Sequence, residues 1–132
     1  MNPSAAPRWI LIIEDDRAFS AAIEESLKEK GFRTVNASYV SDALAKLRRQ
    51  KFECILLDLK LERGGNGQEV IQQVRRDPKG FNYKTPIIVI SGFLTKEFVL
   101  ELGPTGIYIL AKPFSPQDLM KRLDLALAGE ST

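Results

Sequence analysis

The stretch Ile10-Leu11-Ile12-Ile13-Glu14-Asp15-Asp16-Arg17-Ala18-Phe19, ILIIEDDRAF at residues 10–19, runs four branched apolar residues straight into three acids. The apolar half has the composition of a strand covered on both faces. The acids need an explanation, because two unit charges about 4 Å apart repel by on the order of 4 kcal/mol at an effective dielectric near 20. A cation or a proton must accompany them. Histidine is absent from all 132 residues, which removes imidazole bases, Ser-His-Asp triads and histidine-containing metal sites. Any metal is then held by oxygen, and oxygen ligands select a hard ion such as magnesium, manganese or calcium.

The length suits one domain with a core large enough to fold unaided. Residues 1–7 read as a loose tail without a signal-peptide core, residues 8–128 as the domain, and residues 129–132 as a short C-terminal tail. With 19 basic and 17 acidic residues spread along the chain, the net charge of +2 gives no footprint for nucleic acid or a membrane surface. No segment approaches the roughly 18–20 apolar residues of a membrane span. The single cysteine, Cys54, lies in an apolar run and has no internal disulfide partner, which fits a buried thiol in a reducing, cytoplasmic setting.

Five short apolar runs mark strands: Trp9 to Ile13, Arg33 to Asn36, Glu53 to Leu57, Pro86 to Ile90 and Ile107 to Ala111. Four are nearly continuous hydrophobics, as in buried parallel strands; the second is weaker and belongs at an edge. Between them lie helical spacings. Phe19, Ala22, Ile23 and Leu27 share one face, with Asp16 as N-cap and Gly31 as the stop. Similar patterns span residues near 41–50, 67–77 and 95–102, and a last helix opens on the cap Ser115-Pro116-Gln117-Asp118. The order βαβαβαβαβα predicts an α/β fold, one parallel sheet with helices on both faces. Such sheets place function at the carboxyl ends of their strands.

Just past those ends stand Glu14-Asp15-Asp16, Asp58, Ser91-Gly92 and Lys112-Pro113. A nucleotide or flavin site needs glycines or hydroxyls after the first strand, and acids there repel phosphate. Gly64-Gly65-Asn66-Gly67 lacks phosphate-loop spacing and reads as a flexible loop. An aspartate-nucleophile phosphatase wants a second acid two residues after the nucleophile, where this chain has Lys60. What remains is a phosphoacceptor site. Glu14 and Asp15 with Asp58 would hold magnesium or manganese, Asp58 would attack phosphorus, Lys112 would neutralise the phosphoryl oxygens, and Ser91 would donate a hydrogen bond to one of them.

ILIIEDD, ILLDLKL, TPIIVISG and AKPF, in this order over residues about 8–128, resemble the motifs of response-regulator receiver domains, the CheY-like phosphoacceptors of two-component signalling. The resemblance implies a doubly wound, flavodoxin-like (βα)5 sheet with strand order 2-1-3-4-5. It further implies phosphorylation of Asp58 by a sensor histidine kinase or phosphotransfer protein, Glu14 and Asp15 as the metal pair, and a metal contact from the backbone carbonyl of Lys60. Ser91 takes the place of the switch hydroxyl, Lys112 that of the family lysine, and Lys112-Pro113 that of its cis peptide. Lys60 and Phe93 fall where phosphoryl lifetime is tuned, Phe93 as a bulky screen against water. The implied output is a change in binding to a downstream protein, with no enzymatic activity beyond slow self-dephosphorylation.

The sequence departs from the family pattern at Glu62, where proline is common, and at Ile109, which replaces the usual switch aromatic. Tyr108, one position away, points to the opposite face of its strand and is no substitute. These departures favour one rival reading, a receiver-fold interaction module that works without phosphorylation. Other readings are plainer. Asp16 serves chiefly as a helix cap, Ser91-Gly92 is ordinary turn chemistry, and Arg48-Arg49 and Arg75-Arg76 read as solvated helix ends.

Overall fold

The computed structural model describes residues 6–61, 65–92, 97, 100 and 106–129. Strands β1 (Trp9–Ile13), β2 (Arg33–Ala37), β3 (Cys54–Asp58), β4 (Ile87–Ser91) and β5 (Ile107–Ala111) pair in parallel in the order β2-β1-β3-β4-β5. This is the doubly wound order expected, with the weak strand β2 at an edge. β3 and β4 each lie one residue later than the apolar runs suggested. Asp58 and Ser91 are therefore the last residues of strands, and Asp58 pairs with Ile90.

Helices α1 (Arg17–Glu29), α2 (Val40–Arg49), α3 (Gln68–Arg75) and the C-terminal helix (Pro116–Ala128) cover the sheet. The Asp16 carboxylate accepts the Phe19 N–H at 3.1 Å, as a cap does, and Gly31 follows the end of α1 at φ +90°. Ser115 and Asp118 form a full capping box with Pro116 in the first turn. The helix expected at 95–102 lies outside the described residues except for Glu97 and Leu100, both helical. Among the described residues no helix is long and apolar enough to cross a membrane.

Strand alternation sorts the side chains into two cores. Leu11, Ile13, Ile55, Leu57, Ile87 and Val89 face α2 and α3, meeting Ala43, Leu47, Val70 and Val74. Ile10, Ile12, Leu56, Ile88 and Ile90 face α1 and the C-terminal helix, meeting Ile23, Leu27, Leu119 and Leu123. Each such side chain, fully buried, contributes roughly 1.5–3 kcal/mol. Because both faces are covered, polar groups collect where the strands stop.

Polar braces fix the connection from α3 to β4. Buried Asn82 donates to the carbonyls of Leu47 and Gln50 at 2.8 and 2.9 Å and accepts from the Phe52 N–H at 2.9 Å. The Thr85 hydroxyl lies within reach of both Asn82 Oδ1 and the Phe52 carbonyl. Arg75, read from the sequence as solvated, is instead half-buried. Its guanidinium donates to the carbonyls of Tyr83, Thr85 and Gly106, because three backbone acceptors converge beside the end of α3. Its neighbour Arg76 is exposed, as expected.

Candidate functional site

The carboxyl ends of β1, β3 and β5 open onto a cleft of about 680 Å³ lined by Glu14, Asp15, Asp58, Lys60 and Lys112, all singled out from the sequence. Tyr39, which sequence reasoning passed over, stands half-exposed at its rim. Parallel strands in register deliver these residues to one edge although they are far apart in the chain.

Asp58 is the most constrained of them. Its Oδ1 accepts the Lys60 N–H at 2.9 Å, and its Oδ2 accepts from Lys112 Nζ at 2.9 Å. Lys112 is itself anchored, its N–H donating to the Ser91 carbonyl, and the peptide to Pro113 is cis. Its ammonium lies 4.4 Å from the centre of the Phe19 ring, whose edge-on partner is Phe114 at 5.6 Å. A cation over an aromatic face is attracted by the ring quadrupole, so Phe19, which sequence periodicity had linked only to a helix face, steadies the lysine.

Glu14 is buried against this ion pair. Its Oε1 accepts the Asp16 N–H at 3.1 Å, whereas Oε2 has no hydrogen-bond partner as a carboxylate oxygen. Burial, followed by the hydrogen bond and charge of Asp58, pushes the Glu14 carboxyl up to about 8. Burial alone would also raise Asp58, but hydrogen bonds from protonated Glu14, from Lys112 and from the Lys60 N–H outweigh it and hold Asp58 below its ordinary range. The two acids thus share one proton, carried on Glu14, which then has a donor to offer Asp58.

A stability change with pH follows. The folded chain binds the Glu14 proton more tightly than the unfolded chain, so this contribution is complete below pH 4.5 and lost as pH rises through about 8. Asp58 acts oppositely, and only as pH falls through and below 3.8. Urea unfolding in the presence of a chelator should show a midpoint that declines from pH 4.5 to 8, and Glu14→Gln should flatten the decline.

The unpartnered buried oxygen of Glu14 and an all-oxygen donor set suit a hard divalent ion as well as they suit a proton. Among the described residues no three acidic or cysteine side chains are gathered closely enough to enclose a metal by themselves. An ion here would therefore depend on backbone carbonyl and water as well as carboxylates, as magnesium commonly does.

The segment after Asp58 corrects a sequence reading. Gly65–Asn66 pair antiparallel with Lys60–Leu61, so this part of the glycine-rich stretch is ordered and turns back beside the site. Gly67 starts α3 in ordinary helical geometry, yet a Cβ there would lie 3.1 Å from both the Asp58 carbonyl oxygen and the Leu59 Cα. Backbone atoms cannot swing aside. Gly67→Ala should cost about 1–3 kcal/mol by overpacking, read as a lower thermal midpoint.

The other predicted residues fall elsewhere. Ser91 is buried at the end of β4, beside β3, and does not line the cleft. Tyr108 is buried in the core beneath α1 and the C-terminal helix, and Ile109 packs on the opposite face, as alternation requires. Phe93 and Glu62 lie outside the described residues. Cys54 is fully buried, and burial pushes its thiol up to about 12, so it is a core residue.

Comparison with known proteins agrees with this geometry. The family model described as the response regulator receiver domain matches residues 10–124. Among solved structures, the receiver domain of a sensor histidine kinase from Pseudomonas aeruginosa, with a magnesium ion coordinated in its active-site cleft, is 25% identical with a TM-score of 0.80, over 93% of this chain and 99% of that one. Chemotaxis protein CheY4 of Vibrio cholerae is 27% identical with a TM-score of 0.80, over 92% and 99%. A CheY-like receiver domain protein from Methanospirillum hungatei is 25% identical with a TM-score of 0.77, over 93% and 95%. Matched by the family model over residues 10–124 and built on the parallel sheet order β2-β1-β3-β4-β5, the chain belongs to the response regulator receiver family.

Proposed function

We propose that the chain is a phosphorylation switch that accepts a phosphoryl group on Asp58 from a sensor histidine kinase or phosphotransfer protein and passes the change on through altered protein binding. The observation that carries this reading is the buried Asp58 carboxylate held at 2.9 Å by Lys112 in a cleft edged by three further acids, Glu14, Asp15 and Asp16. In the transfer, an Asp58 oxygen forms the new P–O bond as the P–N bond of the donor's phosphohistidine breaks, the electron pair leaving with the imidazole. The Lys112 ammonium, freed from its ion pair, neutralises charge on the phosphoryl oxygens, and the Ser91 hydroxyl donates to one of them in the phosphorylated state. Magnesium or manganese, when bound by Glu14, Asp15, Asp58 and the Lys60 carbonyl, supplies further positive charge to those oxygens. Phe93→Ala should hasten loss of the phosphoryl adduct, and equal or slower loss in the variant would exclude a lifetime-tuning role for Phe93.

Incubation with magnesium and acetyl phosphate, followed by intact mass, tests the reading. A single phosphoryl adduct is expected, absent from Asp58→Asn and without sustained phosphate release. No adduct on the parent chain would end it. Ile109 in place of an aromatic favours a second reading, a module that binds its target unphosphorylated; equal target affinity of the parent and Asp58→Asn, with or without acetyl phosphate, would support that one.

A further inference from the structure

The end of the sheet opposite the acidic cleft carries a feature that phosphoryl transfer does not use. Phe81 is 58% exposed on the connection between α3 and β4, one of the few large hydrophobic side chains among the described residues that stand mostly in solvent. It stands between two clefts and lines both. One, of about 460 Å³, runs between α2 and the end of α3 over Leu44 and Val74; the other, of about 360 Å³, lies against the end of the C-terminal helix.

The support beneath Phe81 is unusually firm for a surface loop. The next residue, Asn82, is buried and fastened to α2 and to the start of β3, and Arg75 clamps the carbonyls of Tyr83 and Thr85. Exposing an aromatic ring on a rigid mount lowers the ordering cost of binding, and large aromatics dominate the affinity of protein interfaces.

The surrounding charge selects the partner. Arg48, Arg76 and Lys79 rim the first cleft, and Lys51 and Lys84 the second. Among the described residues none of the five is in an ion pair. Two acids accompany them, Asp77 and Glu53, and Glu53 faces Arg8 at 3.9 Å. The local excess is 5 − 2 = 3 positive charges, against +2 for the whole chain, so the rest of the molecule is slightly acidic.

We propose that the two clefts flanking Phe81 dock an acidic protein segment, one apolar side chain against Phe81 and the cleft floor and carboxylates against the cationic rims. Because it lies opposite Asp58, this surface leaves the phosphoacceptor cleft open to a donor. Selection of a random-peptide phage library on the intact chain tests the proposal. Enrichment of peptides combining Asp or Glu with an aromatic or aliphatic residue is expected. A selected peptide should bind about tenfold or more weakly to Phe81→Ala. It should also lose affinity to Arg76→Glu/Lys79→Glu and in high salt, while Asp58→Asn binds as the parent does. All the substituted docking residues are exposed, and unchanged thermal midpoints would confirm intact folds. No enrichment, enrichment of basic peptides, binding indifferent to these variants, or tighter binding of a single-stranded oligonucleotide would overturn it. Because the Asp58→Asn arm needs no phosphoryl transfer, failure here is separate from failure of the switch reading.

Discussion

Lys112→Ala should slow phosphoryl uptake from acetyl phosphate by about a hundredfold or more, the range seen when a single charge-stabilising donor is removed from a transferring group. The expectation rests on position. Lys112 Nζ is 2.9 Å from Asp58 Oδ2 and is held there from behind by the Phe19 ring at 4.4 Å. An ammonium placed in advance needs no reorganisation when charge develops on the phosphoryl oxygens. Lys112→Arg should not restore the rate, because the planar guanidinium is larger and its fork does not match a single contact beside an aromatic ring. Some stability should be lost as well, since the lysine is about one-third exposed but its partner Asp58 is only 6% exposed and keeps just the Lys60 N–H and Glu14 to offset its charge. Initial rates of adduct formation by intact mass, alongside thermal melts, check both halves. A melt that collapses with the rate would recast Lys112 as structural.

Asn82→Ala should destabilise the fold by roughly 3 kcal/mol, the largest loss expected from one side chain outside the apolar cores. Its amide satisfies two carbonyls at the end of α2 and the N–H of Phe52 next to β3. Truncation leaves these backbone groups without partners in a place that is 3% exposed. Asn82→Asp keeps the acceptor but sets a carboxylate against two carbonyl oxygens, so it should be no milder. Urea unfolding gives the measure: a lower midpoint with an unchanged slope. The loss should leave the acidic cleft's chemistry intact in the folded fraction, because Asn82 sits at the other end of the strands.

These two residues differ in how visible they were beforehand. Lys112 could be found in the sequence because it comes directly after an apolar run, as Asp58 and Glu14 do, and parallel strands bring such ends together. Asn82 sits in a polar stretch of ordinary loop composition, and its partners are backbone groups on α2 and before β3, which leave no trace in side-chain patterning. Arg75 was misread for the same reason: its three acceptors are carbonyls. Phe19 was legible as apolar helix spacing, but its second task, facing the Lys112 ammonium, depends on how α1 packs against a residue 93 positions later (112 − 19). Gly67 was read as loop flexibility because its real constraint, the nearness of the Asp58 backbone, is steric and exists only once the segment has turned back. Strand ends moved by a single residue, since apolar composition fades at a polar terminus before pairing does.

The sheet order also sets a sequence of events during synthesis. β2, β1 and β3 are neighbours in space and together span only residues 9–58, so a chain emerging from its N-terminus can assemble half the sheet early. That half already gathers Glu14, Asp15 and Asp58. The balancing ammonium arrives with Lys112, 54 positions after Asp58. If these three strands pair before the rest of the chain is made, the acidic cluster forms ahead of its lysine, and in that interval protons or ambient cations would also have to offset the Asp58 charge that Lys112 later takes over.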